Sequence, residues 1–269
     1  YFTEHLVLAT PDNGVAIAIY AACKATVKVG DGKEITLHEE TNYPFEEAIA
    51  FTVSTGEKVA FPFYLRIPSW TQKAEVRVNG KKVSAAPVAG KYLCINREWA
   101  NGDRVELTLP MSLSMRTWQV NKNSVSVDYG PLTLSLKIAE KYVEKDSRET
   151  AIGDSKWQKG ADSKKWPTTE IYPDSPWNYS LVLDKKEPLK NFKVIRKSWP
   201  ADNYPFTVAS VPLEVKAIGR PVPEWKIDET GLCGVLPEED AVKGDKEEIT
   251  LIPMGAARLR ISAFPNTKE

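Results

Sequence analysis

Residues 61–83 read FPFYLRIPSWTQKAEVRVNGKKV, and this stretch predicts the character of the whole chain. Phe61, Phe63 and Leu65 recur with a period of two, which is typical of a half-buried β-strand. Further along, Asn79-Gly80 stands between two alternating segments, and Asn-Gly strongly favours a β-hairpin because both central residues of a type I′ turn need positive φ. The stretch therefore predicts short strands joined by tight turns.

The same pattern continues along the chain, and no long helical period interrupts it. The chain has 269 residues, which is long for one β-sandwich and comfortable for two. We therefore predict an all-β protein that contains two jelly-roll-like β-sandwich units. The predicted domains are the end of an upstream helical domain, a first β-sandwich and a second β-sandwich, at residues 1–13, 14–122 and 123–265.

The first residues of the chain predict a short helix. Residues 1–9, YFTEHLVLA, lack β alternation, and Phe2 and Leu6 are four residues apart, as on one helical face. A helix this short is not stable alone in water, so we expect it to pack on an upstream domain. The chain begins with Tyr1 and shows no signal peptide, so we interpret it as part of a longer or processed protein.

The charge balance narrows the classes of partner. Thirty-six basic residues match thirty-six acidic ones, whereas nucleic acids and anionic membranes attract proteins with a basic surplus. No apolar stretch approaches the roughly 20 residues that a membrane-spanning helix needs. We therefore expect neither nucleic acid nor a membrane as the main partner.

The cysteines do not form a recognisable metal or redox motif. Cys23, Cys94 and Cys233 are far apart and contain no CxxC pair, so a zinc site is not expected. Two interpretations stay open for them: buried structural thiols, which the surrounding sequence favours, or a disulfide.

Acidic and histidine residues likewise show no catalytic arrangement. Adjacent acids such as Glu39 and Glu40 point to opposite faces of a strand, so they cannot act on one glycosidic bond and are interpreted as surface charge. His5 falls in the predicted helix and His38 at the end of a predicted strand, and neither belongs to a recognisable triad. We therefore predict no catalytic residue in this chain.

The aromatic residues are the most suggestive chemical feature. Flat aromatic side chains bind the apolar faces of sugar rings, and the chain has 8 Trp and 10 Tyr. Residues 139–178 show no strand pattern, and a loop of this length is expected to be functional or packed over a partner. This loop carries the candidate carbohydrate-binding residues Trp157, Trp166, Tyr172 and Trp177. The alternative is that they attach the loop to a sandwich or to an adjoining domain.

Several stretches resemble the C-terminal half of glycoside hydrolase family 127, the β-L-arabinofuranosidase-like family. They are residues 1–14 YFTEHLVLATPDNG, 39–45 EETNYPF, 64–70 YLRIPSW, 78–80 VNG, 128–132 DYGPL and 175–179 SPWNY. Members of that family combine an (α/α)6 barrel with β-sandwich domains that follow it. The resemblance implies that the barrel carries the chemistry, with a zinc held by a glutamate and cysteines, a cysteine nucleophile and a glutamate acid/base. No residue of this chain matches those positions, so the resemblance gives this segment no catalytic residue, metal site or cofactor.

Three hypotheses follow for the function. The first is a non-catalytic C-terminal region of a glycoside hydrolase that acts on arabinofuranose-containing plant glycans; it braces the upstream (α/α)6 catalytic domain, where alone zinc is expected, and is inactive by itself. The second is a carbohydrate-binding module that holds a plant-derived oligosaccharide through the loop aromatics. The third is purely structural, with those aromatics buried against the sandwich. The resemblance also favours a periplasmic or secreted location.

Overall fold

The structure is a computed structural model that describes residues 2–146, 162 and 164–269. The predicted all-β class is confirmed, because the described residues form twenty strands and, as helical elements, only two 3-10 turns, at Thr3–His5 and Met254–Ala256. The chain divides into two compact units. The first comprises the chain up to Leu113 together with Tyr129–Leu132, and the second comprises Ser114–Asp128 and Thr133–Glu269.

The first unit contains two sheets. Its strands are β1 Val7–Ala9, β2 Val15–Ile17, β3 Cys23–Val29, β4 Lys33–Thr41, β5 Ala48–Thr55, β6 Val59–Arg66, β7 Glu75–Val78, β8 Lys81–Lys82, β9 Tyr92–Trp99 and β10 Arg104–Thr108. One sheet has the order β1-β2-β6-β9, and the other has the order β3-β4-β5-β10-β7-β8. The pairing of β2 with β6 is parallel, whereas β6 pairs with β9 antiparallel.

Aromatic side chains fill the core of the first unit. Phe51, Phe61, Phe63 and Trp99 are almost completely buried, as the period-two pattern of residues 61–65 predicts. The rings of Phe63 and Trp99 meet edge to face with centroids 5.7 Å apart, and Phe51 meets Phe63 at 5.5 Å. The indole Nε1 of Trp99 donates a hydrogen bond to the Phe61 carbonyl at 3.0 Å, so its one polar group is satisfied inside the core.

The Asn79-Gly80 turn forms as predicted and is anchored by its neighbours. Asn79 and Gly80 have φ of 50° and 77°, and the turn joins β7 to β8 antiparallel. The Asn79 amide donates to the Asp103 carboxylate at 2.7 Å, and its oxygen accepts from the Arg104 backbone N–H at 2.8 Å. The turn is therefore tied to the start of β10.

The second unit is built on a larger sheet. Its strands are β11 Leu113–Trp118, β12 Ser124–Tyr129, β13 Leu132–Leu136, β14 Glu140–Lys145, β15 Thr168–Pro173, β16 Tyr179–Leu183, β17 Lys193–Arg196, β18 Leu213–Pro221, β19 Glu247–Pro253 and β20 Asn266–Lys268. The end residues Leu113, Tyr129 and Leu132 of these strands fall in the first unit. The main sheet has the order β11-β12-β13-β19-β18-β16-β20, with β17 paired to β18. Strands β14 and β15 form a separate two-stranded sheet.

Two predictions about secondary structure are wrong. Residues 2–9 do not form the predicted helix: a 3-10 turn at Thr3–His5 is followed by β1, which pairs antiparallel with β2. This pairing satisfies backbone groups, whereas a helix of this length is not stable alone. Residues 139–178 are not free of strands, because β14 and β15 pair over six residues, from Glu140↔Pro173 to Lys145↔Thr168. β14 is rich in charged, exposed side chains, and β15 is mostly half-buried, so neither shows the alternation that marks a strand with one buried face.

Candidate functional site

A groove in the second unit brings together two of the four predicted aromatic residues. The groove has a volume of about 330 Å³, and Tyr172 and Trp177 both line it. Trp166 is 72% exposed and is not among the groove residues. Trp157 lies outside the described residues. Sugar binding by these side chains stays a prediction. Tyr172 and Trp177 are the two of them that the fold brings together, at this groove.

The orientation of Trp177 is fixed by a second tryptophan. Its ring meets that of Trp225 edge to face, with centroids 5.2 Å apart and planes at 68°. Trp225 is buried and donates from Nε1 to the Gly234 carbonyl at 3.0 Å. The next residue, Asn178, donates from its amide to the carbonyls of Val222 and Trp225 at 2.9 and 3.1 Å. Trp177 is thus half-buried and held at the groove by a hydrogen-bonded support.

Tyr172 contributes an exposed ring to the same groove. It is 44% exposed, and its hydroxyl donates to the carboxylate of Glu170, two residues earlier in β15. That hydrogen bond raises the pKa of the Tyr172 phenol above its ordinary value, so the ring stays neutral at physiological pH. The ring is therefore oriented by a neighbour while its surface remains open.

Arginines at the groove supply its hydrogen-bond donors, and sequence reasoning did not single them out. Arg260 donates from Nε to the Ala257 carbonyl at 2.8 Å, which fixes one edge of its guanidinium. The backbone N–H of Arg258 donates to Glu140 Oε1 at 3.1 Å, and its guanidinium lies beside the Tyr142 hydroxyl. Because an isolated arginine in an exposed segment carries no pattern, only the fold reveals this pair.

The first unit presents a second surface on its four-stranded sheet. Cross-strand register places six side chains on the side of β1-β2-β6-β9 that faces away from the core, here called the outer face: Leu8, Ala16, Tyr64, Arg66, Tyr92 and Cys94. Leu8 and Tyr92 are 38% and 48% exposed. The Tyr64 hydroxyl donates to Asp12 Oδ2 at 2.5 Å, and this bond raises the pKa of the phenol. The outer face is thus largely apolar.

One polar atom next to the outer face is left without a partner. The Nε of Arg66 is buried and makes no hydrogen bond among the residues that the structure describes. The backbone carbonyl of Arg66, in contrast, accepts from the Tyr20 hydroxyl at 2.5 Å. Buried donors in proteins are almost always satisfied, so this atom marks a place where an acceptor is expected.

Glu39 is buried, which contradicts its interpretation as surface charge. Alternation along β4 turns it inward, where it is 1% exposed, while Glu40 points outward and pairs with Arg104 at 3.2 Å. Glu39 accepts from the Ala21 N–H at 3.0 Å and from Cys23 Sγ at 3.8 Å. Burial raises its pKa to about 8. The prediction that the two acids face opposite ways is right, and only the environment of Glu39 was misjudged.

The cysteine and histidine predictions have mixed outcomes. All three cysteines are free thiols; Cys23 is half-buried, but Cys94 and Cys233 are exposed, so the expectation of burial is wrong for these two. Cys94 lies opposite Tyr64 on the outer face, where alternation along β9 places it. His38 lies within β4 rather than at its end.

The described residues offer neither a metal site nor a membrane-spanning helix. No group of three His, Cys, Asp or Glu side chains among them is arranged to hold a metal ion, so the zinc that the resemblance implies finds no fitting ligand set there, and no chemistry of this segment is attributed to it. In the described part of the chain, no helix has the length and apolar character needed to cross a bilayer.

The family model and the similar solved structures point to the same family of glycoside hydrolases. Residues 14–111 match the family model described as β-L-arabinofuranosidase, GH127 middle domain. No curated protein matches the sequence.

A solved GH127 β-L-arabinofuranosidase from Geobacillus stearothermophilus T6 has a TM-score of 0.64 at 21% identity, over 99% of this chain and 35% of that one. A second structure, described only as a glycoside hydrolase, gives 0.63 at 22% identity, over 96% and 36%. A solved GH127 β-arabinofuranosidase gives 0.60 at 23%, over 96% and 36%. The chain therefore spans about a third of the length of these structures.

Proposed function

We propose that this chain, which belongs to glycoside hydrolase family 127 through its middle domain at residues 14–111, is a non-catalytic part of a larger glycosidase that it braces. The resemblance predicted from sequence is confirmed, and an accessory role in a glycoside hydrolase is supported. The enzyme acts on arabinofuranose-containing plant glycans, in the periplasm or outside the cell. Its chemistry, including any zinc, belongs to an upstream (α/α)6 barrel, and this segment alone is inactive.

The outer face is the observation that carries the bracing role. Leu8 and Tyr92 expose apolar surface there, and such contiguous patches mark contact sites on otherwise polar proteins. The partnerless Nε of Arg66 beside them calls for an acceptor that the described residues do not supply. A helical barrel brings apolar side chains together with carbonyl or carboxylate oxygens at its helix ends and loops. We therefore assign the outer face to contact with that barrel.

Association between this chain and the barrel tests the proposal. The two parts are produced separately, and their complex is measured by size-exclusion chromatography with light scattering. We expect the wild-type chain to associate, and Tyr92→Asp to abolish the complex because it adds a charge to the apolar contact. Tyr142→Asp, at an exposed tyrosine of the second unit, is the matched control and should associate normally.

Hydrolysis assays complete the test. The isolated chain should not cleave p-nitrophenyl arabinofuranoside, whereas the protein that includes the barrel should. Cleavage by the isolated chain would contradict the placement of the chemistry upstream. If Tyr92→Asp associates normally, the outer face is not the interface with the barrel. If the gene encodes no adjoining barrel, the proposal as a whole is wrong.

A further inference from the structure

We propose that the groove of the second unit, lined by Tyr172, Trp177, Arg258 and Arg260, is a binding site for a short arabinofuranose-containing oligosaccharide. The groove is separate from the outer face in role and in residues. Its position in a carbohydrate-active enzyme rests on the proposed function, which supplies the class of sugar. The groove itself is argued from its own side chains.

Two aromatic rings give the groove its platform. Tyr172 is 44% exposed and presents an open ring, while Trp177 is half-buried and braced edge to face by Trp225. A ring already locked in place loses little freedom when a ligand stacks on it, which favours binding. The apolar C–H face of a sugar is the ligand surface that suits such rings, since it buries apolar area without leaving hydroxyl groups unpaired.

The floor and wall of the groove are apolar and supported by the fold. Ile138 and Ile261, only 3% and 7% exposed, lie beneath it. Leu232 belongs to a turn that Asp228 holds, since its carboxylate accepts from the backbone N–H groups of Thr230 and Leu232 at 2.9 and 3.1 Å. The groove is thus formed by an ordered turn and a packed core, and not by loose side chains.

The polar groups of the groove favour a ligand rich in acceptors. Arg258 and Arg260 bring guanidinium N–H donors, and among the residues that the structure describes no acidic side chain lines the groove. Each guanidinium has five N–H donors in a fixed plane, and Arg260 uses its Nε for the Ala257 carbonyl. Donors beside an aromatic platform match the hydroxyl and ring oxygens of a sugar.

The size of the groove argues for a small ligand and against a protein surface. Its volume of about 330 Å³ lies at the lower end of the range for small-molecule sites, roughly 300–1,000 Å³. A stable protein–protein contact takes about 800 Å² from each partner, which a recess of this size does not offer. A ligand of one or two sugar rings fits the space, with further units extending into solvent.

Isothermal titration of the 269-residue chain with linear arabino-oligosaccharides tests the proposal. We expect saturable binding and a loss of affinity of about tenfold or more in Tyr172→Ala. Tyr172→Phe keeps the ring and should bind like the wild type. Tyr92→Ala removes a comparably exposed ring from the outer face and should also bind normally. Arg260→Leu provides a second groove variant and should weaken binding without removing the platform.

The outcomes are distinct from those for bracing, because neither hydrolysis nor the barrel enters this measurement. Absence of binding, or equal affinity in wild type and Tyr172→Ala, would overturn the groove as a sugar site. Binding of gluco-oligosaccharides in place of arabino-oligosaccharides would overturn the class of sugar. Binding by a chain that fails to associate with the barrel would count against bracing alone.

Discussion

The aromatic core of the first unit and the tyrosines on β14 and β15 in the second unit have opposite environments. In the first unit, Trp99 and Phe63 are buried and meet edge to face between strands. In the second unit, Tyr172 and Tyr142 are about half exposed on the two-stranded sheet of β14 and β15. Burial of a large aromatic side chain stabilises a fold by several kcal/mol, whereas an exposed ring adds little. The comparison teaches that aromatic content alone does not separate core from binding surface; the environment of each ring does.

Removal of a core ring should have the largest effect. We expect Trp99→Ala to lower the free energy of unfolding by about 3–5 kcal/mol, because it leaves a cavity where the indole packs on Phe61 and Phe63. Trp99→Phe keeps most of the contact and should cost clearly less. Urea denaturation followed by circular dichroism measures both. A loss for Trp99→Ala below about 1 kcal/mol would contradict a packed core at this position.

Glu39 should make the stability of the first unit depend on pH. Burial raises its pKa from 4.5 to about 8, so the folded state holds the proton more tightly than the unfolded state. The stabilisation that the protonated Glu39 carboxyl gives to the folded state is therefore complete below pH 4.5, and it is lost as the pH rises through about 8. We expect a loss on the order of a few kcal/mol across this window. The neighbouring Cys23 thiol, whose pKa burial raises to about 11, stays neutral throughout.

A pair of neighbouring variants isolates this effect. Glu39→Gln keeps an acceptor for the Ala21 N–H but cannot ionise, so its melting temperature should not show the decline between pH 5 and 8 that Glu39 adds. Glu40→Gln, at the exposed position next to it, should decline as the wild type does. Parallel profiles for wild type and Glu39→Gln would show that the carboxyl titrates as an exposed group does.

The Asn79-Gly80 turn offers a smaller effect that tests local anchoring. Asn79→Ala should lower the free energy of unfolding by about 1–2 kcal/mol, because alanine disfavours the positive φ and removes the hydrogen bonds of the Asn79 side chain to the Asp103 carboxylate and the Arg104 backbone N–H. Asn79→Gly has no penalty for positive φ, so its free energy of unfolding should fall by less than that of Asn79→Ala. Thermal unfolding ranks the two variants. A larger loss in the glycine variant would mean that backbone conformation contributes nothing to the cost of the alanine variant.

Truncation of the exposed tyrosine should have the smallest effect on stability. We expect Tyr172→Ala to change the free energy of unfolding by less than about 0.5 kcal/mol, since surface substitutions rarely exceed this. The same denaturation experiment measures it beside Trp99→Ala. A loss comparable to that of Trp99→Ala would mean that Tyr172 packs as a core residue, and would assign it to the structural interpretation of the loop aromatics.

Sequence patterns predicted the elements that carry a period-two apolar pattern or a strong turn signal. Phe61, Phe63 and Leu65 lie buried as their spacing indicates, and Asn79-Gly80 forms its turn, because both signals are local. Strands β1 and β14 were missed, since their side chains are partly or largely exposed and pairing, not burial, defines them.

The environments of single side chains were harder to predict than the elements. Glu39 and Cys94 were assigned by residue type, yet strand register places the acid inside and the thiol outside. Of the candidate sugar-binding residues, Tyr172 and Trp177 meet at one groove, but the arginines beside them come from a distant part of the sequence. Only the tertiary structure brings such residues together.

The parallel pairing of β2 with β6 has a consequence for how the protein is made. Val15 lies beside Phe63, and the whole of β3, β4 and β5 lies between them in the chain. Such a non-local contact must wait until the intervening strands have been synthesised and brought close, which slows its formation. The outer face, which needs β2 and β6 side by side, therefore cannot form before the chain has been synthesised through β6 and β9.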